Sequence, residues 1–217
     1  MTKKQRAGMI VNRLEQMYDG EKCYLDHNDA WQLMVAVRLS AQCTDARVNI
    51  VTEELFSIYP TIESLAGASP DEIENIVRPC GLGKTKARDI HLAMNALLEN
   101  HNGRVPDTME ELLNIPGVGR KSANLILGDV FGKPAIVTDT HCIRLCKRFG
   151  ITDSDNPAVV EKQLRSIIQP EKGNAFCHRL VRHGREVCTA RSPKCKDCTL
   201  NDICEYSALR AEQEPSL

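Results

Sequence analysis

Apolar residues recur three and four positions apart along most of the chain rather than alternating, and Gly, Pro, Asn and Asp interrupt the pattern at short intervals. That periodicity predicts an all-α protein made of short helices. Met9, Val11, Leu14 and Met17 mark a first amphipathic helix. Trp31, Met34, Val35 and Val37 mark a second, and Val48, Val51, Leu55 and Ile58 a third that Pro60 stops. Ser69-Pro70-Asp71-Glu72 reads as an N-cap, a proline in the first turn and acids at the positive end of the dipole. Ala87, Ile90, His91, Met94 and Leu97 form another helix that runs out at Asn100-His101-Asn102-Gly103. There is no internal repeat, low-complexity tract or long linker.

Composition narrows the class. A length of 217 residues, 42% hydrophobic and 26% charged, suits one large or two small globular domains and excludes a disordered chain. No stretch approaches the roughly 20 apolar residues of a membrane span, and the start lacks the apolar run of a secretory signal. These features predict a cytoplasmic or nucleoid-associated protein with no membrane partner. With 28 basic and 29 acidic side chains the formal charge is -1, so nothing draws the whole chain to a polyanion. Any polyanion site must be local.

The helix opened by Thr108-Met109-Glu110-Glu111, which has capping-box spacing, runs into Leu113-Asn114-Ile115-Pro116-Gly117-Val118-Gly119-Arg120-Lys121, and a second helix continues through Leu125, Ile126 and Val130. Pro116, Gly117 and Gly119 allow a tight turn with positive φ at both glycines. Successive backbone N–H groups can then point outward at a helix start, a geometry that binds phosphate. A hairpin that only packs fits the same turn chemistry. Further on, Thr138, Asp139 or Thr140 can cap a helix containing Ile143, Leu145 and Arg148.

Ten cysteines would suggest disulfides in a short secreted chain, but nothing marks this one for export. Cys188, Cys195, Cys198 and Cys204 crowd into one loop, close enough to converge on one inorganic centre, either zinc or an iron-sulfur cluster. The other six, Cys23, Cys43, Cys80, Cys142, Cys146 and Cys177, have no ligand-like grouping and suit buried packing. From His178 to Lys196, Arg179, Arg182, Arg185, Arg191, Lys194 and Lys196 face a single Glu186, which makes this stretch the local basic patch. A rigid loop could present Arg191, Lys194 and Lys196 to phosphates; a solvated charged loop is the alternative.

Leu113-x-Ile115-Pro116-Gly117-Val118-Gly119-Arg120-Lys121-Ser122-Ala123 resembles the helix-hairpin-helix of the endonuclease III family of DNA glycosylases. The likeness extends in consistent order over roughly residues 9 to 206. It includes Val137-Thr138-Asp139-Thr140-His141, the cysteine spacing, Leu39-Ser40-Ala41-Gln42-Cys43-Thr44-Asp45, and Gly81-Leu82-Gly83-Lys84-Thr85-Lys86-Ala87. The resemblance implies a nucleophilic Lys121, a catalytic Asp139 and a 4Fe-4S cluster held by Cys188, Cys195, Cys198 and Cys204. It implies Gln42 and Leu82 as residues that fill the gap left by an extruded nucleotide, and phosphate contacts at Gly117, Val118 and Gly119. His141 is expected to be a structural partner. Gly83 departs from the family's usual tyrosine.

The fold implied is two helical domains flanking a DNA-binding cleft. One is a helical barrel over 24–133 with the hairpin at about 108–131; the other is an iron-sulfur domain from 1–23 plus 134–217. The activity implied is that of a monomeric, bifunctional DNA glycosylase/AP lyase acting on duplex DNA with a damaged base or abasic site, with oxidised pyrimidines as its bases. Two alternatives stay open: a monofunctional mismatch or uracil glycosylase, against which Lys121 argues, and a noncatalytic iron-sulfur DNA-binding redox sensor.

Overall fold

The computed structural model describes residues 1–20 and 22–213. Every regular element among them is helical. α1 is Lys3–Met17. It is followed by α2 (Ala30–Leu39), α3 (Asp45–Ile58), α4 (Ile62–Gly67), α5 (Pro70–Val77), α6 (Gly83–His101), α7 (Met109–Leu113) and α8 (Arg120–Asp129). The chain then forms α9 (Thr140–Phe149), α10 (Pro157–Ile167), α11 (Gly173–Glu186) and α12 (Glu205–Gln213). Contacts divide it into two compact units, Cys23–Gly132 and the combination of Met1–Lys22 with Lys133–Leu217. No helix among the described residues is long and apolar enough to cross a membrane.

The Cys23–Gly132 unit is organised around α2. Leu33, Met34, Val35, Ala36, Val37 and Leu39 are all buried, so this helix is apolar on nearly every side, as a central helix must be. Val48, Val51 and Leu55 of α3, Ile73 of α5, and Ile90, Met94 and Leu97 of α6 belong to the same buried core. Each such side chain contributes about 1.5–3 kcal/mol on leaving water. Ser69 and Glu72 form the full reciprocal capping box that starts α5, with Pro70 in its first turn. Asn102, at φ 52, ends α6 in the left-handed conformation that Asn tolerates better than most residues.

In the other unit, Thr2 and Gln5 cap α1 reciprocally, and Ala7, Ile10, Val11 and Leu14 bury one face of it against α11. Met9, expected on that face, is exposed instead. Ile10 and Leu14, one turn apart, set the phase and turn Met9 outward. Gly173, at the start of α11, leaves no room for a side chain, since a Cβ there would lie 2.6 Å from the Ala135 carbonyl oxygen. Gly184 on the same helix accommodates the His141 ring.

Candidate functional site

The hairpin turns as its sequence demands at one glycine and not at the other. Val118 N–H donates to the Ile115 carbonyl at 3.1 Å, closing the turn, and Gly117 sits at φ 77. A Cβ on Gly117 would stand 3.0 Å from Asp89 Cβ and 3.2 Å from Arg38 Cδ. These two residues are themselves joined by a 2.7 Å bond from Arg38 Nε to Asp89. Gly117 is therefore required both by its backbone conformation and by the ion pair behind it.

Gly119 corrects the expectation of a second positive φ. It is extended at φ -100, ψ 175, and is the N-cap of α8. The backbone needs no left-handed residue there, because the chain is already entering a helix. What Gly119 supplies is space: nothing lies within 4 Å of where a Cβ would be, and no side chain caps the helix from this position. The positive end of the α8 dipole is thus approachable. Lys121, the second residue of α8, is exposed.

Asp139 is reached by an irregular run, Ala135-Ile136-Val137-Thr138, whose side chains are all buried, and its N–H donates back to the Val137 carbonyl at 3.1 Å. Asp139 is the N-cap of α9, and its Oδ1 accepts the Cys142 N–H at 2.7 Å. The capping expected of this segment is made by the same carboxylate that the family resemblance marks as catalytic. His141 Nδ1 lies 3.2 Å from an Arg144 nitrogen and its ring packs where Gly184 has no side chain, which is a structural role.

Gln42 and Leu82 share an unusual backbone. Gln42 has φ 56 and Leu82 φ 52, and both side chains are exposed, Leu82 by 56%. A large apolar side chain held out of the core on a left-handed residue is costly twice over, in conformation and in hydration. Gly83 stands where the family's tyrosine would be; a Cβ there would approach the Arg78 Cα to 3.2 Å, so this loop lies close against the 3-10 turn at Arg78–Cys80.

The four loop cysteines line one shared cavity, together with Phe149 and His183. Arg148 Nη1 donates to Cys188 Sγ at 3.2 Å, and the Arg148 carbonyl accepts from Cys204 Sγ at 3.4 Å. His183 Nε2 lies 3.6 Å from Cys198 Sγ, while the Tyr18 hydroxyl meets its Nδ1 at 3.1 Å. Burial pushes His183 down to about 4, so its imidazole is neutral at pH 7, with one donor and one acceptor nitrogen. Among the described residues no three His, Cys, Asp or Glu side chains are close enough together to hold a single metal ion. Four thiols around a shared cavity suit a multi-iron cluster, in which each thiolate binds a different iron.

Arg191, Lys194 and Lys196 are exposed on this loop. The wider basic patch expected from His178 to Lys196 is not one surface. Arg179 is buried and donates to the Tyr18 carbonyl at 3.1 Å, and Arg182 pairs with Glu186 at 3.0 Å while lying 4.9 Å from the Tyr18 ring centroid. Both guanidinium groups are held at Tyr18, the residue that ends α1, a use of arginine that a charge count along the chain does not register.

Lys86, whose role no composition or motif-spacing signal indicates, is the most completely buried charge of the Cys23–Gly132 unit. The available signal was its register. Lys86, Ile90, Ala93 and Leu97 follow helical spacing, which puts the lysine on the apolar stripe of α6.

Residues 35–170 match the HhH-GPD superfamily of base excision DNA repair proteins, and residues 188–204 match the iron-sulfur binding domain of endonuclease III. The chain is 45% identical to the endonuclease III of Synechocystis sp. over 205 residues, covering 94% of this chain and 93% of that protein. It is also similar to the protein in a trapped endonuclease III–DNA covalent intermediate, with TM-score 0.91 and 39% identity over 97% of this chain and 100% of that one. A non-covalent endonuclease III–DNA complex gives TM-score 0.92 and 39% identity, over 98% and 100%.

Proposed function

This chain belongs to the endonuclease III family of helix-hairpin-helix base excision DNA repair proteins, and from that membership we propose that Lys121 is its nucleophile and Asp139 the carboxylate that assists it. The protein is a DNA glycosylase with AP lyase activity, binds DNA and carries a 4Fe-4S cluster. A noncatalytic redox sensor is set aside by that membership.

In the mechanism proposed, the neutral amine of Lys121 attacks C1' of the extruded nucleotide. The bond from C1' to the base breaks, and its electron pair leaves with the base, which takes up a proton. Asp139 stabilises positive charge developing on the sugar and accepts the proton lost by the attacking amine. Ring opening gives a Schiff base, which acidifies C2'. Loss of a C2' proton then expels the 3' phosphate by β-elimination. The observation that carries this reading is the exposure of Lys121 on the first turn of α8, immediately beyond the open Gly119. A phosphate held by the backbone of Gly117, Val118 and Gly119 would place DNA beside that amine.

Cys188, Cys195, Cys198 and Cys204 are the proposed cluster ligands, supported by the cavity they share. The cluster supplies rigidity, and the loop it holds presents Arg191, Lys194 and Lys196 to phosphates. Gln42 and Leu82 are the proposed wedges, supported by their exposure on left-handed turns. Oxidised pyrimidines are the proposed bases, with the enzyme acting as a monomer on the nucleoid. Duplexes carrying thymine glycol, uracil, a G:T mismatch, or A opposite 8-oxoguanine test the substrate. Excision of thymine glycol with strand cleavage is expected; excision confined to uracil or a mismatch, without cleavage, would overturn it.

A further inference from the structure

Lys86 is fully buried, yet its ammonium is satisfied by three backbone carbonyls drawn from two separate turns. Its Nζ donates to Leu39 O and Ala41 O, each at 2.7 Å, and to Cys80 O at 2.9 Å. Leu39 is the last residue of α2, where helix carbonyls lack intrahelical donors and the dipole is negative, so a cation there is doubly favoured. Three N–H donors meet three acceptors, which is how a buried ammonium avoids an uncompensated desolvation cost.

The two turns so joined are those that carry Gln42 and Leu82. Ala41 directly precedes Gln42, and Cys80 lies two residues before Leu82. Both flanked residues have positive φ, a conformation that non-glycine residues keep only where the surroundings over-determine it. Local bonds contribute: Cys43 N–H donates to Ser40 O at 3.1 Å and Gly81 N–H to Arg78 O at 3.0 Å. Those bonds act within one turn each. Lys86 bonds to both.

We propose that Lys86 is a positioning residue that clips the Gln42 and Leu82 turns together, so that the two side chains enter the DNA stack as one rigid pair. The inference rests on the wedge reading of Gln42 and Leu82 given above. A lysine serving stability alone would leave wedge insertion unchanged in any variant that still folds. A clip predicts that insertion fails while folding and phosphate contacts remain.

The test uses the cluster-loaded enzyme and a duplex in which a tetrahydrofuran abasic analogue lies opposite 2-aminopurine, whose fluorescence reports disturbance of its stacking. Kd is followed separately by anisotropy. Lys86→Met keeps the stem and removes the donors; a Gln42→Ala/Leu82→Ala double variant is the comparator. Lys86→Met is expected to lose most of the fluorescence change, as the double variant does, while Kd weakens by less than about tenfold because phosphate contacts carry most of the affinity. Should Lys86→Met not fold, Lys86→Gln, with two N–H donors and shorter reach, is expected to show a partial loss. Full fluorescence change in the folded lysine variants, with loss in the double variant, would overturn the clip and leave the wedge reading standing. Full change in the double variant itself would overturn the wedge reading and the clip with it.

Discussion

The Asp139 carboxylate accepts the Cys142 backbone N–H at 2.7 Å, so the residue proposed to act on the sugar also starts the helix that follows it. Capping and catalysis make different demands on the side chain. Capping needs an oxygen acceptor, whereas the proposed chemistry needs a negative charge.

Asp139→Asn keeps the acceptor and removes the charge. Its melting temperature should stay near that of the parent, because Asn caps about as well as Asp. Single-turnover base excision should fall by about 10²–10⁴-fold, the usual contribution of positioned acid–base groups. Asp139→Ala should lose the same activity and about 1 kcal/mol of stability as well. Wild-type excision rates in the Asn variant would reduce Asp139 to a cap.

Gly119→Asp and Gly117→Ala should part company. At Gly119 the backbone is extended and the space open, so an aspartate there can cap α8 and stability should hold or rise. Its carboxylate would occupy the proposed phosphate position, and Kd for duplex DNA should weaken about tenfold or more. Gly117→Ala instead meets φ 77 and the Asp89 and Arg38 side chains, and should cost about 1–3 kcal/mol in chemical denaturation. Unchanged DNA affinity in Gly119→Asp would remove the hairpin from the interface.

Arg191, Lys194 and Lys196 are exposed, whereas Arg179 is buried against α1. Alanine at any of the first three should lower the slope of log K against log salt by about 0.9 while leaving unfolding unchanged. Arg179→Ala should do the reverse, with a stability loss of about 1–3 kcal/mol from the lost bond to the Tyr18 carbonyl and the lost packing. Titrating DNA at several salt concentrations separates the two classes; an unaltered slope in all three loop variants would deny them phosphate contacts.

Burial pushes the Cys23 thiol up to about 12. The unfolded chain ionises this group near the ordinary thiol value of about 8.5, while the folded protein keeps it protonated. The unfolded state therefore binds fewer protons between these two values, and stability should fall as pH rises through that window. Cys23→Ser should make the alkaline limb of the stability profile shallower, leaving the contributions of the buried Cys80, Cys142 and Cys177 in place. At pH 7, Cys23 should resist a maleimide that readily labels it in denaturant; rapid labelling of the native protein would contradict the thiol's high value.

The helices were legible because their apolar stripes repeat at helical spacing, and the Ser69 box and the Asn102 terminus lay where local chemistry placed them. Met9 turns outward, against its place in the apolar pattern, because two phases compete in α1 and only packing selects Ile10. Composition alone marked Gly117 and Gly119 alike; the Arg38–Asp89 pair, from distant parts of the chain, tells them apart. Arg179 and Lys86 were obscured for one reason: a cation reads as surface until its carbonyl partners are known. The spacing of the four loop cysteines needed no such partner, since it lies within one short segment.

Borohydride trapping asks whether Lys121 forms a Schiff base with the sugar. Duplexes carrying thymine glycol or an abasic site are incubated with the enzyme and with Lys121→Gln, and the reduced adducts are resolved by mass. A covalent adduct on both DNAs, absent from Lys121→Gln, is the predicted result and locates the Schiff base at Lys121. Undiminished adduct in Lys121→Gln, or none from an enzyme that binds the DNA with its cluster intact, would contradict it.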